Sequence, residues 1–263
     1  MHPSRLVLFA LLLLPDAGLA ALPPPGFVAL FNGRDLAGWR GGTTYDPRAL
    51  LALPAPQRDA LIAKWTASLT QRNEKTGLPH WRALDGELIN DGFGDYATTE
   101  REYGDFELLL EYKTVPRADS GIYLRGYPQV QIWDIHQPRR KAPSDRNPHL
   151  GSGGLYNNLP RTPGRDPLVV ADRAFGEWNQ VRIVMVGDRV SVWLNSKLVV
   201  DHAVLFNHFD RQRPPAEQRP ILERGPIQLQ THGGEIRWRN IFLREIAPAE
   251  AAGLLKAGSQ ASR

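Results

Sequence analysis

The stretch FELLLEYKT, residues 106–114, carries the clearest structural signal in the chain. Its side chains alternate in character: Phe106, Leu108, Leu110 and Tyr112 fall on one face, and Glu107, Leu109, Glu111 and Lys113 on the other. Successive side chains of a β-strand point to opposite faces of its sheet. The pattern therefore predicts a strand with one face in a core and the other in more polar surroundings.

Further strand-like segments flank this stretch at short spacing. They cover residues 27–31, 121–125, 130–134, 178–186, 189–201, 227–231 and 236–246, with a hairpin turn at Gly187-Asp188. Residues 137–172 and 207–224 are predicted to be long polar loops. Short strands joined by turns, without regular helical crossovers, favour an all-β, concanavalin A-like jelly-roll sandwich of two antiparallel sheets. Helical spacing near residues 48–72, broken by Pro54 and Pro56, predicts an insertion of two short helices.

The two ends of the chain are expected to lie outside this domain. Residues 1–20 combine Arg5, an apolar run over residues 6–14 and small residues before Ala21, as in a secretory signal peptide. A membrane anchor is the alternative. A proline-rich lead (21–26), one domain (27–246) and a frayed tail (247–263) are predicted to follow. The protein is thus expected to be periplasmic or secreted, with no transmembrane span in the mature chain.

Composition excludes several kinds of chemistry. The 263 residues include no cysteine, which rules out disulfides, zinc–thiolate and iron–sulfur sites and a cysteine nucleophile. The net charge is +4, but acidic and basic residues are interspersed and no nucleic-acid-binding module is visible, so no nucleic-acid partner is expected. Dinucleotide and Walker fingerprints are missing, which argues against a nucleotide cofactor.

Strand alternation also selects a candidate ligand face. If the apolar residues of each strand point inward, one outward set combines hydrogen-bonding groups with aromatic rings: Glu111, Tyr123, Arg125, Gln129, Gln131, Trp133, Gln228, Gln230 and His232. Such a face suits a polyhydroxylated, sugar-like ligand. An ordinary solvated sheet face is the alternative. Asn157 follows a glycine run at 151–154 that lets the backbone approach a ligand, so it is a further candidate contact.

A metal site is a separate possibility. Asp134 and His136 follow a predicted strand, where they offer one oxygen and one nitrogen ligand to a divalent cation.

Six blocks, in order, carry a resemblance to a known family. They are LFNGRDLAGW (30–39), YGDFEL (103–108), DSGIYLRG (119–126), GEWN (176–179), GPIQLQTHG (225–233) and RWRNI (237–241). The chain resembles the 3-keto-disaccharide hydrolases, also described as 3-keto-glucoside 1,2-lyase/hydratases. The resemblance implies a jelly roll that acts on sugars oxidised at C3. The family pattern has Glu at the position of Gln129, a difference that bears on activity more than on fold.

The implied reaction assigns roles to the outward residues. A 3-keto group acidifies the hydrogen at C2, so a base can remove that proton and the glycosidic oxygen can leave from C1; water then adds to the enone. Glu111 and His232 are the expected acid–base residues, and Arg125 and Gln131 are expected to orient hydroxyls or to stabilise the enolate. Trp133 or Tyr123 would stack on the sugar ring, and a divalent metal could polarise the ketone.

Two alternatives remain at this stage. A non-catalytic carbohydrate-binding module of the same shape would bind sugar without turnover. A laminarinase-like glycosidase would need a Glu-x-Asp-x-x-Glu strand, which the chain lacks.

Overall fold

A computed structural model describes residues 21–137 and 146–261, and within these ranges thirteen strands form two antiparallel sheets. In chain order they are β1 (Val28–Ala29), β2 (Trp39–Gly42), β3 (Trp81–Leu84), β4 (Glu87–Asn90), β5 (Tyr96–Thr99), β6 (Phe106–Thr114), β7 (Asp119–Leu124), β8 (Tyr127–Trp133), β9 (Asn179–Val186), β10 (Arg189–Leu194), β11 (Lys197–Val204), β12 (Gln228–Leu229) and β13 (Ile236–Glu245). The eight-stranded sheet has the order β11-β10-β9-β6-β13-β4-β3, with β1 also paired to β13. The five-stranded sheet has the order β2-β5-β12-β7-β8.

The core lies between the two sheets. The predicted inward residues of β6, such as Leu108 and Leu110, are buried in one hydrophobic cluster with Ile122 of β7 and Val130 of β8. Removing apolar surface from water is the main stabilising contribution to such a sandwich. The predicted all-β, two-sheet jelly-roll sandwich is confirmed, and β6 has the bounds that the alternation predicts.

The helical insertion is also confirmed as two pieces, α1 (Pro47–Ala52) and α2 (Ala55–Thr70). The Asp46 side chain caps α1 by accepting a hydrogen bond from the Arg48 backbone N–H at 2.9 Å. Helix α2 packs directly on the backbone of β2. A Cβ atom at Gly41 would lie 2.0 Å from the carbonyl carbon of Trp65, so this contact requires glycine.

The segment predicted as one strand over residues 189–201 is instead two strands, β10 and β11. They turn at Asn195 and Ser196, which both have positive φ angles, 51° and 66°. A two-residue turn of this kind matches the twist of a hairpin, but Asn-Ser signals it less strongly than Asn-Gly does.

The predicted frayed tail is wrong, because Pro248–Ala261 form a third helix, α3. Its alanine-rich sequence favours helix. Ala251 packs against Val186 and Ile246, and Arg244 forms two hydrogen bonds with Glu250. The predicted signal peptide, residues 1–20, lies outside the described residues. Over the ranges that are described, no helix has the length and apolar character needed to cross a membrane.

Replacing Gly41 with alanine should destabilise the protein, because the added methyl group would push α2 away from β2. We expect the Gly41→Ala variant to lose about 2–3 kcal/mol in the free energy of unfolding, measured by urea denaturation. Gly253→Ala is the matched control. It lies in α3 with open space around it and should gain about 0.5–1 kcal/mol. Equal effects at the two positions would contradict the packing of α2 on β2.

Candidate functional site

The outer face of the five-stranded sheet carries a cavity of about 410 Å³. The inward positions of β7, β8 and β12 are apolar, so alternation leaves their polar and aromatic side chains on this outer face. The sheet contributes Tyr96, Asp119, Tyr123, Gln129, Gln131, Trp133 and Gln230 to the lining, and the surrounding loops contribute Thr44, Arg146, Tyr156, Asn157, His208 and His232.

The cavity brings together seven of the residues selected from the sequence. These are Tyr123, Gln129, Gln131, Trp133, Asn157, Gln230 and His232. Their shared location follows from strand alternation, except for Asn157 and His232, which come from loops.

Glu111 does not share this face, so its predicted placement is wrong. It lies on β6, in the other sheet, and its carboxylate accepts a hydrogen bond from Arg239 Nε at 2.6 Å. Alternation tells which side of its own sheet a residue occupies, but it does not tell which sheet the strand joins. Strand β6 pairs with β9 and β13, and the strand that follows it, β7, belongs to the other sheet.

Arg125 is also outside the cavity, contrary to the prediction. The ladder between β7 and β8 has an irregularity between Ile122 and Leu124, and Arg125 has a positive φ of 54°. The strict two-residue period therefore ends before Arg125. Its buried guanidinium donates to the carbonyl oxygens of Gly104 at 2.9 Å and Gly187 at 2.8 Å and forms an ion pair with Asp105. These contacts give Arg125 a structural role.

Gln228 has the predicted parity but does not line the cavity. Its amide donates to Thr98 Oγ1 at 3.0 Å, and it is buried beneath Gly42 of the edge strand β2.

Asp134 and His136 do not fit a metal site. Both carboxylate oxygens of Asp134 accept backbone N–H groups, from Arg117 at 2.9 Å and from His136 at 2.7 Å. The His136 ring packs edge-on against Phe175. In residues 21–137 and 146–261, no group of three or more His, Cys, Asp or Glu side chains could hold a metal ion.

Asp119 lies at the centre of the polar contacts in the cavity. Its carboxylate accepts a hydrogen bond from Gln131 Nε2 at 2.7 Å, forms an ion pair with Arg146, and lies 3.3 Å from His232 Nδ1. Asp119 and Arg146 were not among the site residues predicted from the sequence. Parity alone could have found Asp119, which is four residues before Tyr123 on the same face of β7. Arg146 lies in a loop and carries no periodic signal.

Two tyrosines and a threonine form a hydroxyl cluster in the lining of the same cavity. The Thr44 hydroxyl lies 2.7 Å from that of Tyr123 and 3.1 Å from that of Tyr96. Burial raises the pKa of Tyr123, so its hydroxyl keeps its proton at neutral pH. Thr44 and Tyr96 were not predicted. Thr44 lies in the segment before α1, and Tyr96 lies in β5, a strand of only four residues.

Aromatic rings form another part of the lining. Trp133 and Tyr156 meet edge to face with ring centroids 5.0 Å apart, and the Arg146 guanidinium lies 5.3 Å from the centre of the Trp133 ring. Trp133 is held in place because its indole N–H donates to the Gly151 carbonyl at 2.9 Å. The rings offer apolar surface next to hydrogen-bonding groups, as sugar ligands require.

The two histidines of the cavity differ in their surroundings. Burial, together with the neighbouring Arg211, lowers the pKa of His208 to about 4, so this ring is neutral at neutral pH. His232 has a more open position, with about 57% of its side chain exposed, and it faces the carboxylate of Asp119.

The protein is thus a β-sandwich that carries a polar, aromatic-lined cavity on the outer face of one sheet. Residues 26–244 match the 3-keto-alpha-glucoside-1,2-lyase-like domain family, so the chain belongs to that family. The resemblance described for the sequence is thereby confirmed.

Solved structures support the fold. A "putative glycosyl hydrolase" from Parabacteroides distasonis ATCC 8503 superposes with a TM-score of 0.58 at 17% identity, covering 84% of this chain and 94% of its own. A second one from the same organism gives a TM-score of 0.54 at 23% identity, covering 85% of each chain. No protein with a curated description matches this chain.

The contacts of Arg125 predict a stability defect on its removal. Arg125→Met would remove the donor to the Gly104 and Gly187 carbonyls and the ion-pair partner of Asp105, so we expect a loss of about 3 kcal/mol in the free energy of unfolding. Arg224→Met, at a more exposed ion pair with Glu245, should cost less than about 1 kcal/mol. Unchanged stability with loss of sugar binding would instead place Arg125 at the site.

Proposed function

We propose that this protein cleaves glycosides of 3-keto-glucose by removing the C2 proton and expelling the oxygen at C1. The observation that carries the proposal is the Asp119–His232 pair on the cavity wall, in a chain that belongs to a 3-keto-glucoside lyase-like family. An exposed histidine beside a carboxylate is a suitable general base near neutral pH.

The reaction needs a base, stabilisation of an enolate and a proton for the leaving group. Removal of the C2 proton places negative charge on the C3 oxygen. When the ketone re-forms, a C1=C2 double bond appears, the C1–O bond breaks and the leaving oxygen takes up a proton. Water then adds its oxygen to C1 while C2 regains a proton, which releases the free 3-keto sugar. The starting and final states therefore differ by one molecule of water.

His232 is the proposed base. Because an ionised carboxylate only accepts hydrogen bonds, Asp119 favours the tautomer of His232 that carries its proton on Nδ1. In this tautomer Nε2 carries the lone pair that would receive the proton from C2. The imidazolium formed in this way is stabilised by Asp119 and can return the proton to the leaving oxygen.

Arg146 is the proposed partner of the enolate oxygen. Its guanidinium lines the cavity and shares the Asp119 carboxylate with His232, so its charge lies close to the proposed base. A positive charge near the C3 oxygen would stabilise the enolate more than the ketone, which is the requirement for catalysis. Trp133 and Tyr156 would hold the sugar ring by stacking.

A non-catalytic carbohydrate-binding role is the second candidate. The observation in its favour is that Gln129, an amide that cannot act as a base, lines the cavity at the position where the sequence resemblance implies Glu. A binding module would use the same cavity and aromatic rings, but it would release no product.

The proposal predicts that His232 is needed for turnover. We expect His232→Ala to lower kcat/KM for a 3-keto-disaccharide by about 100-fold or more, and Asp119→Asn to lower it by about tenfold or more. Released 3-keto-glucose would be measured by mass spectrometry. Glu111→Gln, on the other sheet, is the control and should stay within about twofold. No release by the wild-type protein, together with sugar binding, would favour the binding module.

A divalent metal is a separate prediction from the sequence, and the same assay can address it. If a metal takes part, treatment with EDTA should abolish release of 3-keto-glucose, and added Mg²⁺ or Mn²⁺ should restore it. Full activity in EDTA would count against a required metal. The wild-type protein without EDTA serves as the reference, so the outcome does not depend on any variant.

A further inference from the structure

The amide of Gln131 has its orientation fixed by its neighbours. Its Nε2 atom is within hydrogen-bond distance of Asp119 Oδ1 at 2.7 Å, the Ile132 carbonyl at 2.9 Å and the Ser120 carbonyl at 3.0 Å. All three are acceptors, so the opposite orientation would place the amide oxygen among three oxygen atoms and lose every bond. The amide oxygen of Gln131 must therefore point the other way, towards Gln129.

Gln131 in turn fixes the orientation of Gln129. The Nε2 atom of Gln129 donates to Gln131 Oε1, which leaves Gln129 Oε1 as an acceptor. Among the described residues, this buried oxygen has no donor. The side chain lies flat over Gly121, where a Cβ atom would be 2.9 Å from Gln129 Cδ, so the strand below leaves room for this conformation only with glycine.

A second buried acceptor lines the same cavity. Gln230 Oε1 has no donor from residues 21–137 or 146–261, while its Nε2 lies 3.4 Å from the Tyr96 hydroxyl. Gln129 and Gln230 are each more than nine-tenths buried. A buried acceptor without a donor is unfavourable, so a molecule that brings a hydroxyl group to it gains affinity.

We infer that Gln129, with Gln230, determines which way round the sugar binds, by accepting hydrogen bonds from sugar hydroxyl groups. The inference rests on the proposed function, since it concerns the same cavity. A ketone has no hydrogen to donate, so the C3 oxygen of the substrate gains no hydrogen bond at the Oε1 atoms of Gln129 and Gln230. It lies instead towards the donors Arg146 and His232, and the hydroxyls at C4 or C6 face Gln129.

The consequence for Gln129 is a role in specificity rather than in proton transfer. An amide cannot remove the C2 proton, and the Oε1 atom of Gln129 is an acceptor whose direction is set by Asp119 through Gln131. A site built to accept a hydrogen bond from a substrate hydroxyl discriminates strongly against an analogue that lacks it.

The test measures binding of sugars that cannot lose an aglycone. The probes are 1,5-anhydro-3-keto-glucitol and its 4-deoxy and 6-deoxy analogues, titrated by calorimetry. The wild-type protein should bind the parent sugar at least about tenfold more tightly than one of the two analogues. Gln129→Met should reduce that ratio to within about twofold. The exposed Gln180→Met, on the other sheet, should leave it unchanged.

Gln129→Glu provides a second, isosteric test. When neutral, the introduced carboxyl group can still donate to Gln131 and still offer an acceptor. When ionised, it has no hydrogen to donate. Burial and the facing Gln131 oxygen both favour the neutral form, so the pKa of the introduced group is raised. The carboxyl group loses its proton as the pH rises through that value. Because an ionised carboxylate accepts a hydrogen bond from a sugar hydroxyl more strongly than a neutral carboxyl group does, we expect affinity for the parent sugar to rise by about tenfold over this range, with no such rise in the wild-type protein.

Several results would overturn the inference. They are equal wild-type affinity for all three sugars, no binding of any of them, an unchanged ratio in Gln129→Met, or a pH-independent affinity in Gln129→Glu. Failure of the proposed function gives a different pattern, because discrimination between the three sugars would persist while a 3-keto-disaccharide stayed uncleaved.

Discussion

The carboxylate of Asp119 is the interaction on which the arrangement of the cavity depends. A charged group that is largely buried needs partners of opposite charge and hydrogen-bond donors, and Asp119 finds them in Arg146, His232 and Gln131. Each partner is thereby given an orientation. The histidine keeps its proton on the nitrogen that faces the carboxylate, and the amide of Gln131 turns its oxygen away from it, towards Gln129. The charge of Asp119 thus determines both the tautomer of the proposed base and the direction in which the Gln129 oxygen accepts a hydrogen bond.

The sandwich makes this arrangement possible by holding the cavity floor rigid. Strands β7 and β8 are buried on their inner face in the hydrophobic core, so their outer side chains have fixed positions. The segment that leads into the helical insertion adds the Thr44 hydroxyl to the cavity, and Arg48 of α1 donates to the Tyr127 hydroxyl at 2.8 Å, which holds the insertion in place. A site built on strands with loops at its rim suits a reaction in which the substrate must be oriented closely.

The amino-acid sequence predicts the fold well and the site in part. A period of two identifies outward residues wherever a strand is regular, which is why Tyr123, Gln131 and Trp133 were found together. The same rule misplaced Glu111, because sheet membership depends on hydrogen bonds between distant strands. It failed at Arg125 because a local irregularity ends the period. Arg146 and His208 come from loops, whose positions depend on tertiary contacts that no periodic pattern reports.

The central claim is that the C2 proton is removed during cleavage, and solvent deuterium tests it most directly. The reaction with a 3-keto-disaccharide would be run in D₂O, and the released sugar would be examined by NMR for deuterium at C2 and at C4, which also neighbours the ketone. Free 3-keto-glucose in the same buffer would give the rate of spontaneous exchange. The account predicts one deuterium at C2 in every product molecule and none at C4 above the spontaneous rate. Product that retains hydrogen at C2 would contradict it and would indicate direct hydrolysis of the glycosidic bond.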